Sequence, residues 1–411
     1  MPDRRLVVVT HRPFSLGGGG SVRWRHLLRE LPRHGWQITE CSPRVGLTAD
    51  DSSTDPRRAA LAARRARVMA VAGRVVDPLT RLVRIKPEAL APNNLWSLTG
   101  RRVVRETVAR ANPDVVVATI PPPSALFASA REVQGIPLVA DVRDLWAGNP
   151  YYDRGSALMA RLQGHGLEHA AATVTVSDGC RDRLLELHPG LDGRVHVLPN
   201  GFDPQLIGRR HPPTEHDGPR RFVFAGSLYG EHTAEAIVQA LALPSLRGRA
   251  SLRLVGVVDP RTRAAIAATP EAAVTTEPPV SWDDAIAHVL EADAAVAITT
   301  PATGGDMALP IKMFEALALG RPVLALAGPG SDLARLLQRL GQDAGLAAPG
   351  DVAAIAAAIE RLLDAPPPPV DPAALAEFDR DRIAARYAGL LEEVATRSSR
   401  RTVAGTTSSA R

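Results

Sequence analysis

Lysine is almost missing from this chain. Of its 49 basic residues only Lys86 and Lys312 are lysines, and every other one is arginine. Cysteine is as rare. Cys41 and Cys180 lie far apart and match no metal-ligand spacing, which excludes a disulfide scaffold and a zinc module and fits a reduced, cytoplasmic compartment. Aromatic residues make up only 4% of the chain, so its cores must be built mainly from Ala, Val and Leu. Long apolar runs are absent too. The opening run, Leu6 to Val9, is too short for a signal peptide, and no stretch is long enough to span a membrane. The net charge of +5 is modest; it permits an anionic partner and selects none.

What is present suffices for a large soluble protein. A length of 411 residues predicts two domains of ordinary size or three small ones, and 45% hydrophobic content fills their cores. Short Val-rich runs alternate with helical patterns. The first series comprises Leu6 to Thr10, Asp114 to Ile120, Leu138 to Asp141, Thr173 to Val176 and Val195 to Leu198. These runs do not alternate with polar residues, as expected of parallel strands covered on both faces. After Pro199 to Asp203 and a polar, Pro-rich stretch, a second series begins at Phe222 and continues at Ser251, Ala294 and Val323. The pattern predicts an α/β protein with two similar domains, over 1–203 and 204–371. A last helix is expected over 372–396 and a disordered tail over 397–411.

An insertion at about 57–105 interrupts the first series. It carries twelve basic residues against Asp77 and Glu88. Its Arg-rich helical part suits either an anionic membrane surface or a solvated helix packed by its Ala face. Nucleic acid is disfavoured, because the stretch has one Trp and no interleaved stacking aromatics.

Four segments carry chemistry. Gly17 to Gly20 follow the first strand, and glycine lets backbone N–H groups approach an anion or a sugar. Gly226 and Ser227 follow the strand from Phe222, where free N–H groups and a helix dipole are expected. His232, a little further on, reads as a surface residue. Asp141, Arg143, Asp144 and Trp146 sit just past another strand end, where open sheets bind ligands. Finally, Met313 to Leu319 reads as a helix stopped by Gly320, with Lys312 and Glu315, three residues apart, on one face of its first turn. A compact ammonium for phosphate beside a carboxylate for sugar hydroxyls is what nucleotide-sugar binding needs. A local Lys–Glu pair is the plainer alternative. Asp283 and Asp284 read as helix-capping residues rather than metal ligands.

Taken in order, Asp114-Val-Val-Val, Pro121-Pro-Pro-Ser124, Asp141-Val-Arg-Asp-Leu-Trp146, Val197-Leu-Pro-Asn-Gly-Phe-Asp203, Ala225-Gly-Ser-Leu-Tyr229 and Pro310 to Val323 resemble the retaining GT-B glycosyltransferases of family 4. The resemblance extends to about residue 396. It implies a GT-B fold, two Rossmann-like domains facing each other across a cleft, with the last helix crossing back to the first. It implies a nucleotide-sugar donor held by the second domain, Glu315 on the ribose and Lys312 near the diphosphate. Gly18 and Gly19 would approach the donor from the first domain. The family's first motif glutamate falls at Met307, so backbone groups around Met307, Ala308 and Leu309 would hold the sugar instead. The Arg and Lys many members carry after the Gly226 turn are also missing, which concentrates the phosphate charge on Lys312. Asp144 would contact sugar or acceptor, and neither a metal nor another cofactor is expected. A glycan or lipid-linked acceptor, at the cytoplasmic membrane face, fits the basic insertion. Two other readings share the fold: a nucleotide-sugar epimerase and a non-catalytic binder of nucleotide-sugars or glycans. Deleting residues 57–86 should weaken sedimentation with anionic vesicles; unchanged sedimentation would reject the membrane role.

Overall fold

The computed structural model describes residues 4–16, 19–42, 84, 96–213 and 216–408. The chain forms two compact units, one of Met1–Leu198 with Ala384–Arg411, the other of Pro199–Ile383. Most of the basic insertion, and Gly17 and Gly18, lie outside the described residues.

The first unit is built on six parallel strands: β1 (Arg4–Val9), β2 (Trp36–Cys41), β3 (Val115–Ile120), β4 (Leu138–Val142), β5 (Ala170–Thr175) and β6 (Val195–Val197). Their order across the sheet is β2-β1-β3-β4-β5-β6. All of β3 and β4 is buried, which explains why these runs show no polar alternation. Helix α1 (Gly19–Glu30) follows β1, and Pro32 and a left-handed Gly35 shape the turn into β2.

The second unit repeats the plan. Its strands are β7 (Arg220–Ala225), β8 (Ala250–Val255), β9 (Val274–Glu277), β10 (Ala294–Ile298), β11 (Val323–Leu326) and β12 (Leu346–Ala347), ordered β12-β11-β10-β7-β8-β9 and all parallel. The chain works outward from β7 to β9, then returns to β7's other side for β10. The point between β7 and β10 is therefore a topological switch, where the connecting loops diverge and open a crevice at the strands' C-terminal ends. Connecting helices include α2 (Glu235–Leu241), α3 (Pro260–Ala268), α4 (Trp282–Glu291) and α5 (Ile311–Ala318). Helix α4 is capped by Ser281, whose hydroxyl accepts from the Asp284 amide and donates to its carboxylate. The cap is thus Ser281, with Asp283 and Asp284 in the first turn.

Two expectations about the C-terminus need correction. The last helix, α6, spans Arg380–Ser408, so it starts later than 372 and continues past 397, where a disordered tail was predicted. Its late start has a local cause. Phe378 buries against Phe314 with ring centroids 4.8 Å apart, and its carbonyl accepts from the Phe202 amide. Gly201 lies there at φ +62, and a Cβ would come within 2.2 Å of the Phe378 carbonyl oxygen. The Pro199–Asp203 segment is therefore part of the second unit, and the boundary falls at Leu198 rather than 203.

The first unit closes over a buried polar knot. Trp24 donates its indole N–H to Asp141 at 2.6 Å, and Arg23 pairs with the other Asp141 oxygen at 3.5 Å. Arg23 also donates to the Leu198 carbonyl and lies over the Tyr387 ring of α6. Tyr387 meets Trp24 edge-on, both fully buried. Burial pushes the Tyr387 hydroxyl well above its ordinary range. Asp141, read from sequence as one of two site carboxylates, is thus committed to the interior. Removing one partner of a buried ion pair typically costs about 3–5 kcal/mol, because the other charge stays behind. Asp141→Ala should lower the stability of the protein by about that much in urea unfolding.

Candidate active site

The second unit gathers Lys312, Glu315, Gly226 and the segment Thr299–Leu309 at its topological switch. Helix α5 starts at Ile311 with Pro310 before it, and no side chain caps that start. Its other end is well sealed. Gly320 adopts φ +74, the Arg321 amide returns to the Ala316 carbonyl, and Arg210 donates to the Leu317 and Ala318 carbonyls. The predicted helix and its Gly320 stop are both present. Met313, Phe314, Ala316 and Leu317 bury one face in the core, which turns Lys312 and Glu315 toward the strand ends.

The Lys312 ammonium lies 3.7 Å from the centroid of the Phe224 ring. A cation over such a ring is stabilised by about 0.5–2 kcal/mol. Among the described residues Lys312 makes no ion pair. Loss of water pushes its pKa down to about 8, while Glu315 pulls it back up. The two side chains share a face, as predicted, without forming the local Lys–Glu pair. Glu315 instead accepts from the Trp282 indole at 3.0 Å and faces Arg380 at 3.7 Å.

Gly226 serves this lysine through the side chain it lacks. A Cβ there would sit 2.4 Å from the Lys312 ammonium, and the residue adopts φ +152. Two of the backbone donors expected to be free at this turn are engaged. The Gly226 and Leu228 amides donate to Val255 and Val257, and helix α2 begins only at Glu235. Ser227 is exposed. The backbone around Met307 is similarly occupied. Gly304, Gly305, Met307 and Ala308 all donate within their own segment. Sequence reasoning assumed open amides at Met307, Ala308 and Leu309, and the two short 3-10 turns Pro301–Thr303 and Gly305–Met307 engage those of Met307 and Ala308.

His232 was read as a surface residue and is not one. It is half-buried, its Nε2 lies 3.0 Å from the Thr303 hydroxyl, and its pKa is lowered by burial and by Lys312. The rarity of other cations on the Gly226 turn was the only signal that could have drawn attention to it. In the first unit, Asp144 stands exposed two residues beyond β4, while Arg143 turns to Thr119 and the Pro121 carbonyl. His11, also missed, follows β1. Burial, then Arg143 and Arg12, push its pKa down to about 4. Gly19 opens helix α1.

Two parallel Rossmann-type sheets, the second with Lys312 at a helix start on its switch point, are the architecture of the GT-B fold. Residues 17–206 match the model for Glycosyltransferase Family 4, and residues 219–365 match that for Glycosyl transferases group 1. The chain belongs to this family of glycosyltransferases. No curated protein matches it in sequence. Its fold is similar to that of sucrose-phosphate synthase from Thermosynechococcus elongatus, with a TM-score of 0.62, 16% identity and coverage of 98% of this chain and 100% of that one. A glycosyltransferase from Rickettsia africae gives 0.63 at 12% identity, covering 95% and 98%. A putative UDP-N-acetylglucosamine 2-epimerase from Listeria monocytogenes gives 0.53 at 13%, covering 94% and 95%. Among the described residues no helix is long and apolar enough to cross a membrane.

Because the chain has two lysines, selective carbon labelling should give two side-chain NMR signals. The Lys312 signal should titrate near pH 8, and in Glu315→Gln it should titrate lower, since the carboxylate that favours the charged form is gone. An ordinary lysine value of 10.5 would show the ammonium to be solvated.

Proposed function

We propose that this glycosyltransferase moves a sugar from a nucleoside-diphosphate donor to an acceptor hydroxyl with retention at the anomeric carbon, in polysaccharide or glycolipid assembly. The observation that carries this reading is Lys312, a desolvated ammonium without an ion-pair partner among the described residues. Near pH 7 it is mostly charged, because its pKa lies about a unit higher. A site that holds a partly buried cation without a partner is suited to an anion that arrives with the substrate.

In the proposed reaction the acceptor hydroxyl attacks the anomeric carbon on the face from which the diphosphate departs. The bond from carbon to diphosphate oxygen breaks as the new glycosidic bond forms. A leaving phosphate oxygen takes the acceptor's proton, so no protein nucleophile is needed. Lys312 stabilises the negative charge growing on the diphosphate, with the uncapped start of α5 beside it. Glu315 is assigned to the ribose hydroxyls, which would have to displace or share the Trp282 indole. Asp144 is assigned to the sugar or acceptor. The charge neutralisation is given to Lys312, and no metal is invoked. The basic residues of 57–86 are assigned to an anionic membrane surface bearing the acceptor.

A thermal-shift panel of UDP, GDP, dTDP and ADP with their common sugars should identify the donor, since a bound ligand raises apparent stability. Product analysis then separates the readings. Transfer needs an acceptor, epimerisation proceeds on donor alone, and binding without either product indicates a non-catalytic member. Lys312→Ala should reduce turnover by roughly 10²-fold. Lys312→Arg should also be impaired, because the planar guanidinium does not fit the space between Phe224 and Gly226. Normal turnover in Lys312→Ala would remove the assigned role.

A further inference from the structure

We propose that the helix Ala157–Glu168 of the first unit is a membrane-contacting element: Leu158 and Leu162 enter the headgroup layer of an anionic bilayer, and the arginines beside them meet its phosphates. This rests on the membrane reading of residues 57–86 for the kind of partner and extends it to another surface.

The helix is amphipathic the wrong way round. Gln163, Gly164 and Gly166 lie on its buried side with Met159 and Leu167, while Leu158 and Leu162 face out at 46% and 42% exposure. They are the only large apolar side chains left exposed among the described residues of the first unit. Spaced at i and i+4, they share one face. The fold enforces this orientation. Gln163 accepts from the Trp146 and Ala147 amides at 3.1 and 2.9 Å. A Cβ on Gly166 would come within 2.8 Å of Leu126, and one on Gly164 within 2.8 Å of the His188 ring. Ser156 caps the helix start, and the buried Asp153 carboxylate accepts from the Ser156 amide. Turning the leucines inward would strip two buried amides of their acceptor and push side chains into places only glycine fits. A single exposed leucine is ordinary, but a pair held on one helix face in place of a buried glutamine is not.

The charges around them identify what covers them. Arg161 follows Leu158 by three residues, on the same side, and Arg154 just precedes the helix; both are exposed. Arg84, exposed too, joins them. Its Nε donates to the Arg154 carbonyl at 3.0 Å, and its own carbonyl accepts from the Arg154 amide at 2.9 Å. Among the described residues none of these three arginines makes an ion pair. Arg84 belongs to the basic insertion, so this contact joins the insertion to the leucine face. The one carboxylate on that face, Glu168, sits at the helix's far end. Two half-exposed leucines offer far less than the ~800 Å² that a stable protein partner covers on each side. They suit a bilayer, in which apolar side chains reach the acyl boundary while cations stay at the phosphates. An anionic surface attracts each nearby arginine, and the apolar and electrostatic contributions act together.

The test is sedimentation of the whole chain with vesicles of mixed phosphatidylglycerol and phosphatidylcholine, against vesicles of phosphatidylcholine alone. Wild type should bind the anionic vesicles, and binding should weaken as salt rises. Leu158→Gln with Leu162→Gln should weaken it by about tenfold or more, and Arg161→Gln by roughly fivefold. Unchanged binding in the double variant, with binding lost on deleting 57–86, overturns this proposal and leaves the insertion reading standing. No binding of wild type to anionic vesicles overturns both. A dimer in solution that the double variant dissociates gives the face to a second copy and overturns the proposal as well. Should the double variant not fold, Leu158→Cys takes its place. Cys41 and Cys180 are buried, so an environment-sensitive thiol dye attaches at position 158. Its emission should move to the blue on adding anionic vesicles, and unmoved emission overturns the proposal.

Discussion

An ammonium with no carboxylate in ion-pair reach among the described residues constrains everything around it in the second unit. Phe224, on β7, must present its ring face. Gly226 must lack a side chain and adopt a backbone geometry that other residues resist. Helix α5 must be fixed in place, and Arg210 and Gly320 seal its far end so that its first turn stays open. A partly buried charge left uncompensated destabilises a protein, so such an arrangement suits a site that an incoming anion completes.

Much of this was legible in the sequence because it is local. The Val-rich runs announced buried parallel strands, and Gly320 announced the end of α5. The three-residue spacing put Lys312 and Glu315 on one face. What escaped depends on distant partners. Whether the Gly226 amide is free is decided by the Val255 carbonyl of the neighbouring strand, and no local pattern encodes that. Glu315 looked open because Trp282 and Arg380 are remote in sequence. His232 looked peripheral for the same reason, since Thr303 reaches it from a remote loop.

The two carboxylates after β4 illustrate how fine the division between interior and site can be. Asp141 points into the sheet's covered side and neutralises Arg23, whereas Asp144, three residues on, is exposed. The strand's pleat and the turn that ends it separate their fates, and composition alone treats them alike. The same economy appears in the arginines, which bridge backbone carbonyls throughout: Arg23 to Leu198, Arg194 to Ala170, Arg321 to His211 and Leu290, Arg386 to Val197. A planar fork suits that task.

The path of the chain has a consequence for biosynthesis. The second unit is one uninterrupted segment, Pro199–Ile383, while the first is made of two pieces that flank it. Trp24 and Arg23 wait for Tyr387, which leaves the ribosome only after the whole second unit has been made. The domain translated first is therefore completed last. Until then helix α1 carries an uncovered aromatic face, and the nascent chain depends on the second unit folding promptly in between.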